Sequence, residues 1–320
     1  MYYFCMILLP LFFFTGCSMP AISLFPGNSS ALEEYVLEGS GKEKILVISV
    51  QGKITDRNEK SLLRSEISMV QRIVSQLRKA EKDKYIKGLI LKVDSPGGSV
   101  TASDILYHEI LEFRQRTGVK ILAVFMNLAA SGAYYISLPA DRIMAHPTTI
   151  CGSVGVIIIR PEVSGLMQKL GIAVSVSKTG KQKDMGSPFR KTGQEEEKIF
   201  QKLAEDLGTR FLELVKKHRH PDADALRQIA EAGVFLAEDA LELGLVDEIA
   251  YLGDAVKRIQ EMTGIPEDAS IVCYRRREYP DDNIYNTAAQ SGIGTVSLIS
   301  LPLSVPAAGF YYLWPPAAQE

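Results

Sequence analysis

Residues 119–137 read VKILAVFMNLAASGAYYIS, an apolar run that ends in small residues and then changes character. The run at 119–127 is rich in β-branched and large apolar residues and predicts a buried strand. The stretch after it predicts a helix that begins near Ser131, which stands between alanines and Gly132. Small neighbours let another molecule's backbone approach a serine nucleophile, but they suit tight helix packing equally well.

Strand and helix patterns alternate on both sides of this stretch. Strands are predicted at 44–54, 86–99, 119–127, 142–147, 153–159 and 172–178. Helices are predicted at 61–80, 104–118, 161–171 and 194–220, followed by a helix–strand–helix unit at 236–262. Such alternation favours right-handed crossovers and a mostly parallel sheet with flanking helices. The predicted fold class is therefore α/β.

The 320 residues suffice for one catalytic domain with a substantial core. We expect a signal-like segment at 1–17, a Ser/Gly/Pro-rich tether at 18–42, a catalytic domain at 43–265 and a C-terminal extension at 266–320. The last apolar stretch of the extension contains Pro302 and Pro306, which argue against a membrane helix. Because it is uncharged and β-rich, we expect it to add a strand to a groove or to a neighbouring subunit.

Composition excludes several classes of partner and site. The net charge of −2 gives no electrostatic footprint for nucleic acid, so no nucleic-acid partner is expected. The four cysteines form no CxxC pair and no Cys/His cluster, so neither a disulfide framework nor a metal site is predicted. We expect no cofactor.

The N-terminus carries an apolar segment that is short for a membrane span. It ends in Phe14-Thr15-Gly16-Cys17, which is similar to a bacterial lipobox and would leave Cys17 as a lipidated N-terminus. Alternatively, this N-terminal segment is an uncleaved membrane anchor or part of the buried core. The segment before it lacks Lys and Arg, and Phe14 replaces the usual leucine. Either a lipobox or an uncleaved anchor would place the protein on the extracytoplasmic face of the bacterial cytoplasmic membrane.

Two glycines suggest an oxyanion hole near Ser131. The strand at 86–99 runs into Ser95-Pro96-Gly97-Gly98, where a free backbone N–H could polarise a carbonyl oxygen. Alone, a Pro-Gly-Gly run is more typical of a turn. The helix that begins near Ser131 adds unpaired N–H groups, among them that of Gly132. Ser131, Gly98 and Gly132 could thus form a nucleophile with two oxyanion donors.

A serine nucleophile also needs a base. His146 is the one histidine near Ser131 in sequence, and it lies in an apolar strand. Lys178, Lys181 and Lys183 are alternatives, although their segment resembles a solvated loop and a lysine base must first lose its charge, with an ordinary pKa of about 10.4. Ser153, in a glycine-flanked strand start, could orient such an amine or could simply form a turn.

Four separated motifs resemble one known family. They are DSPGG at 94–98, the stretch from NLAASGAYY to CGSVGV at 127–156, KTGKQKDMGSPFR at 178–190 and GVFLAEDALELGLVDEI at 233–249. Together they resemble the short form of bacterial signal peptide peptidase A, a membrane-anchored Ser/Lys protease of the Clp-protease/crotonase superfamily. The likeness covers roughly residues 44–265, with the motifs in the family's order.

The resemblance implies a role for each candidate residue. Ser131 would be the nucleophile, Lys183 the general base and Ser153 the residue that holds the lysine. Gly98 would be an oxyanion donor, with Gly132 as the second by analogy. Ala133 stands where the family commonly has glycine, and Asp184 should point away from the base, towards an arginine such as Arg190.

The resemblance further implies a serine endopeptidase that degrades remnant signal peptides as a ring or dome of several subunits, without ATP or metal. The residues leave two other functions open. A crotonase-like acyl-CoA enzyme would share the fold and the oxyanion hole, but it would be cytoplasmic. A non-catalytic envelope lipoprotein would use the groove only to bind peptides.

Overall fold

The computed structural model describes residues 31–61, 64–276, 283–284 and 309–314. The signal-like segment with Cys17, and most of the predicted tether, lie outside the described residues. Within the described ranges, no helix is long and apolar enough to cross a membrane.

Fourteen strands and eight helices follow one another in the described chain. The strands are β1 Glu33–Glu38, β2 Lys44–Gln51, β3 Glu59–Ser61, β4 Arg64–Glu66, β5 Ile86–Ser95, β6 Gly97–Ser99, β7 Lys120–Ala130, β8 Arg142–Ala145, β9 Ile150–Gly152, β10 Ile157–Ile159, β11 Val234–Leu236, β12 Glu248–Ile249, β13 Ser270–Arg275 and β14 Gly309–Leu313. The helices are α1 Met69–Ala80, α2 Val100–Thr117, α3 Gly132–Ser137, α4 Ser164–Lys169, α5 Gln194–Arg219, α6 Ala223–Ala230, α7 Ala237–Glu242 and α8 Leu252–Thr263.

A nine-stranded sheet forms the centre of the fold. Its main path runs β1-β13-β2-β5-β7-β8-β12, and β9 pairs with the far end of β7 and with β11. The pairs from β13 through β2, β5, β7 and β8 to β12 are parallel, whereas β1 is antiparallel to β13. This mostly parallel α/β sheet with flanking helices confirms the predicted fold class.

Both faces of the sheet are covered, as a parallel sheet requires. Successive residues of β2 alternate between two cores: Leu46 and Ile48 pack with α1, α2 and α3, whereas Ile45 and Val47 pack with α8. This period of two follows from strand geometry and explains why the strand is apolar throughout. The carboxyl ends of β5 and β7 therefore emerge from a rigid, fully packed centre.

Two short-range patterns gave wrong predictions. The helix predicted at 61–80 begins only at Met69, where the Ser68 side chain accepts a hydrogen bond from the Gln71 N–H, and residues before it form the β3–β4 hairpin. The strand predicted at 172–178 does not form. Ile172, Val174 and Val176 alternate as in a strand, yet each is about half exposed, at 52%, 47% and 54%. No neighbouring strand pairs with this segment in the described chain.

A second, three-stranded sheet lies beside the ends of β5 and β7. Strand β14, from the C-terminal extension, pairs antiparallel with β10 on one side and β6 on the other. These residues of the C-terminal extension thus lie within the chain's own second sheet, and the role of the extension in a groove or at a subunit contact stays a prediction.

Candidate active site

Ser131 lies in a sharp turn between the end of β7 and the start of α3. Its backbone has φ 54° and ψ −114°, a conformation that non-glycine residues seldom adopt. The Ser131 N–H donates to the Gly152 carbonyl at 2.7 Å, and the Ser131 carbonyl accepts from the Tyr135 N–H at 2.9 Å. Such strain is retained where the surroundings impose it, and it clusters at functional sites.

Ser153 leaves the neighbouring strand at the same level. Strands β7 and β9 run parallel with Ala130 opposite Gly152, so the next residues, Ser131 and Ser153, emerge side by side. Ser153 also has a positive φ, 51°, and its N–H donates to the Gly233 carbonyl at 2.7 Å. The structure therefore brings together two serines that are far apart in sequence.

Gly98 and Gly132 lie beside Ser131, and other atoms pack closely against both glycines. A Cβ built on Gly98 would lie 1.8 Å from the Ile54 carbonyl oxygen, so no side chain fits. A Cβ built on Gly132 would lie 2.4 Å from the Ser103 Oγ and 3.1 Å from the Gly98 nitrogen. The two predicted donors are thus adjacent, and Gly132 directly follows the serine.

Lys183 lies on the surface of the chain and does not join Ser131 and Ser153. Its side chain is exposed in a series of turns, its backbone N–H donates to the Gly180 carbonyl at 3.1 Å, and it makes no hydrogen bond to Ser131 within the described chain. A single chain in this conformation does not form the Ser/Lys pair, which stays a prediction.

The other two lysines of this segment are held by carboxylates. Lys178 Nζ donates to Asp184 at 2.6 Å, and Lys181 Nζ donates to Glu195 at 2.6 Å. Lys183 alone of the three has no carboxylate partner within the described residues. The amines of Lys178 and Lys181 are therefore already engaged within their own segment.

Asp184 points to Arg190, as expected. The Arg190 guanidinium donates to both Asp184 carboxylate oxygens, at 2.9 and 3.0 Å, and also to Glu196 at 2.8 Å. The hydrogen bonds from Arg190 and then from Lys178 hold the pKa of the Asp184 carboxyl far below its usual range. Asp184 is therefore an anion engaged by two cations, and it does not turn towards Lys183.

His146 is engaged away from Ser131. Its Nδ1 is 2.9 Å from the Thr148 hydroxyl, and its ring packs edge-on against Tyr251 with the centroids 5.0 Å apart. It makes no hydrogen bond to Ser131 in the described chain. Nor do the described residues contain a group of three His, Cys, Asp or Glu side chains placed to hold a metal ion.

Sequence reasoning missed two aromatic residues that pack together near these glycines. They are Phe211 on α5 and Tyr312 on β14, and the Tyr312 ring stacks on Tyr135 with the centroids 4.9 Å apart. The aromatic run GFYYLW at 309–314 is the signal that could have drawn attention to the C-terminal strand.

Comparison with known proteins identifies the family of the chain. The family model described as "Peptidase family S49" matches residues 113–265, a span that contains Ser131, Ser153 and Lys183. An Enterococcus faecium protein named "Putative signal peptide peptidase SppA" is 36% identical over 252 residues, which are 79% of this chain and 73% of that protein. The chain belongs to peptidase family S49.

Membership of the S49 family makes the chain a serine endopeptidase, as the motifs predicted. Protease 4 of Haemophilus influenzae is another relative, 35% identical over 243 residues that represent 75% of this chain but 38% of Protease 4. Among solved structures, a mutant of the 1510-N membrane-bound stomatin-specific protease aligns with a TM-score of 0.43 and 17% identity, over 78% of this chain and 96% of that one.

The packing at Gly98 yields a stability prediction. Gly98→Ala should lower the free energy of unfolding by about 1–3 kcal/mol, because the new methyl group meets the Ile54 carbonyl. Gly253→Ala, in α8, is the matched control: its Cβ would meet nothing within 4 Å, so it should be neutral or stabilise by up to about 1 kcal/mol. Urea unfolding of the two variants measures both effects. Equal unfolding midpoints would show that Ile54 can move aside at no cost.

Proposed function

We propose that this S49 peptidase cleaves apolar, extended peptides such as remnant signal peptides, with Ser131 as nucleophile and Lys183 as general base. The observation that carries the proposal is the strained turn that places Ser131 beside Ser153, Gly98 and Gly132. Family membership supports a peptidase over an acyl-CoA enzyme or a non-catalytic binding protein.

The reaction follows the acyl-enzyme scheme. A neutral Lys183 amine takes the proton of Ser131 as its Oγ bonds to the scissile carbonyl carbon, and the N–H groups of Gly98 and Gly132 stabilise the oxyanion. The Lys183 ammonium then gives its proton to the leaving amine, and the C–N bond breaks. Water, deprotonated by Lys183, attacks the acyl-enzyme and releases the second peptide and Ser131. The Ser153 hydroxyl orients the amine.

A neighbouring copy of the chain is the proposed source of the lysine. Lys183 is exposed in its own chain, whereas Ser131 is buried. The segment around Lys183 also exposes a group of large apolar side chains: Leu166, Leu170, Ile172, Val174, Val176 and Phe189. Several large apolar side chains exposed within one segment are typical of a protein–protein interface. A homo-oligomer would cover that surface and could bring Lys183 to the serine of the next subunit.

Substitution of the pair tests the chemistry. Ser131→Ala and Lys183→Ala should each lower kcat for a fluorogenic apolar peptide by at least about a thousandfold, since a nucleophile and its base act as one unit. Lys183→Arg should be equally inactive because a guanidinium stays protonated. Lys181→Ala is the matched control from the same segment, and we expect it to keep most of the activity, since Lys181 is an exposed partner of Glu195. Wild-type turnover in Lys183→Ala would refute the role of Lys183.

Mixed oligomers test where the lysine comes from. When Ser131→Ala and Lys183→Ala chains are co-expressed, about a quarter of the sites would combine an intact serine with an intact lysine if the pair forms between copies. Activity should then return to roughly that fraction of wild type. If each pair forms within one chain, the mixture stays inactive. Peptidase assays on the co-purified, differently tagged chains measure the result.

For attachment, we propose a lipid on Cys17, at the extracytoplasmic face of the cytoplasmic membrane. The proposal rests on the sequence Phe14-Thr15-Gly16-Cys17, which lies outside the described residues. A clickable fatty acid should label the wild type but not Cys17→Ser, with Cys5→Ser as the control that keeps the label. Labelling that survives Cys17→Ser would contradict lipidation at this site.

A further inference from the structure

Strand β11 forms an edge of the central sheet directly beside Ser153. It pairs antiparallel with β9, and no second strand of the described chain pairs with it. The Ser153 N–H donates to the carbonyl of Gly233, the residue before β11, at 2.7 Å. Hydrogen-bonded pairs recur at every second residue of antiparallel strands, so the N–H and carbonyl of Val234 point away from β9. Another chain can dock on an edge of this kind.

Large apolar side chains are exposed along this edge. Val234 is 37% exposed and Leu236 is 56% exposed, and the two side chains lie on the same face of β11 because strand residues alternate. Leu241, on α7 just after the strand, is 40% exposed. Single exposed apolar side chains are common on monomers, but a group of them on a sheet edge indicates a surface that a partner covers.

An acidic groove of about 430 Å³ lies between α6 and α7, on the other face of β11. Phe235 lines it, together with the carboxylates of Asp222, Asp224, Asp239 and Glu242. Asp222 is the N-cap of α6, and Asp224 forms an ion pair with Arg227. Asp239 and Glu242 form no ion pair within the part of the chain that the structure describes. These two carboxylates are therefore available to a cation from outside the chain.

The segment 178–191, which carries Lys183, has the opposite charge. Asp184 is its one acidic residue. Its basic residues are Lys178, Lys181, Lys183, Arg190 and Lys191. Carboxylates of the same chain engage three of these five cations. Lys183 and Lys191 are exposed, and neither forms an ion pair with another described residue. The segment thus offers two cations, and the groove two carboxylates, that no ion pair within the chain occupies.

We propose that segment 178–191 of a neighbouring copy docks along the edge of β11, with its Lys191 ammonium against the carboxylates of Asp239 and Glu242. The proposal deepens the proposed function and rests on it. Ser153 adjoins this edge, so a segment docked there carries its Lys183 towards Ser153. The exposed apolar side chains of the two surfaces cover each other. Because the two surfaces are different parts of the chain, the contact is head-to-tail.

Charge reversal on either surface tests the contact. Glu242→Lys and Lys191→Glu should each raise the dissociation constant of the assembly at least about tenfold, because like charges then face each other. Analytical ultracentrifugation of the full chain measures the assembly, and peptidase activity should fall with the assembled fraction. Both positions are exposed, and a lysine at the carboxyl end of α7 suits the helix dipole, so the fold should persist.

Glu267→Lys is the matched control for the change of net charge. Glu267 is exposed just before β13, at the end of the parallel sheet opposite to Ser131. This variant should keep the dissociation constant and the activity within about twofold of wild type, as distant surface substitutions do. An equal loss of assembly in Glu267→Lys and Glu242→Lys would overturn the proposal, since net charge alone would then explain the effect.

A mixture of the two reversed chains gives the sharpest test. The Lys191→Glu chain presents anions on both of its surfaces and the Glu242→Lys chain presents cations on both, so each repels its own kind and attracts the other. Each purified chain should stay dissociated alone. Their equimolar mixture should assemble and regain at least about half of the wild-type activity. A mixture that stays dissociated, or either chain assembling alone as the wild type does, would overturn the proposal.

The assembly measurement separates this contact from the catalytic proposal. Ultracentrifugation reports docking whether or not Lys183 is the base. If the reversed chains assemble only when mixed, and Lys183→Ala keeps wild-type turnover, the contact stands and the assigned base is wrong. If the reversed chains assemble alone, while mixed Ser131→Ala and Lys183→Ala chains regain activity, the lysine comes from a neighbour that docks on another surface. That second result would refute the docking of segment 178–191 on β11.

Discussion

The pairing of β7 with β9 positions the active site. Ala130 lies opposite Gly152, and the next amide, that of Ser131, closes a 2.7 Å hydrogen bond to the Gly152 carbonyl. This bond holds Ser131 in a conformation that a serine does not prefer, and the packed sheet beneath supplies the stability that offsets the strain. Because the two paired strands end at the same level, Ser131 and Ser153 directly follow neighbouring strand ends, and the sheet itself places them side by side.

Close backbone packing then determines which residues can surround the serine. The Ile54 carbonyl lies against Gly98, and the Ser103 hydroxyl lies against Gly132, so neither position has room for a side chain. Backbone N–H groups at such a corner are fixed by the fold and do not have to reorganise when negative charge develops. The Tyr312 carbonyl of β14 lies close to the same two glycines, 3.0 Å from a Cβ built on Gly132.

Ion pairs organise the segment that carries Lys183. Asp184 engages Lys178 and Arg190, and Arg190 in turn engages Glu196 at the start of α5. These ion pairs set the turns around Lys183 without involving its side chain. The preceding and intervening residues also expose large apolar side chains, among them Leu170 and Phe189. The segment thus combines an internally satisfied charge network with a surface that a second subunit could bury.

The sequence by itself determined the α/β class and the strand that ends just before Ser131, because strand and helix periods are local properties. It was wrong at 172–178, where no strand of the described chain pairs with the alternating pattern, and at 61–68, where apolar spacing did not outweigh the cap at Ser68. Only the tertiary structure decided that β14 lies between β6 and β10, that Tyr312 stacks on Tyr135, and that Lys183 stays on the surface of its own chain. The physical reason is that strand pairing over some 200 residues depends on which edges remain free once the core has formed, and no local pattern records that.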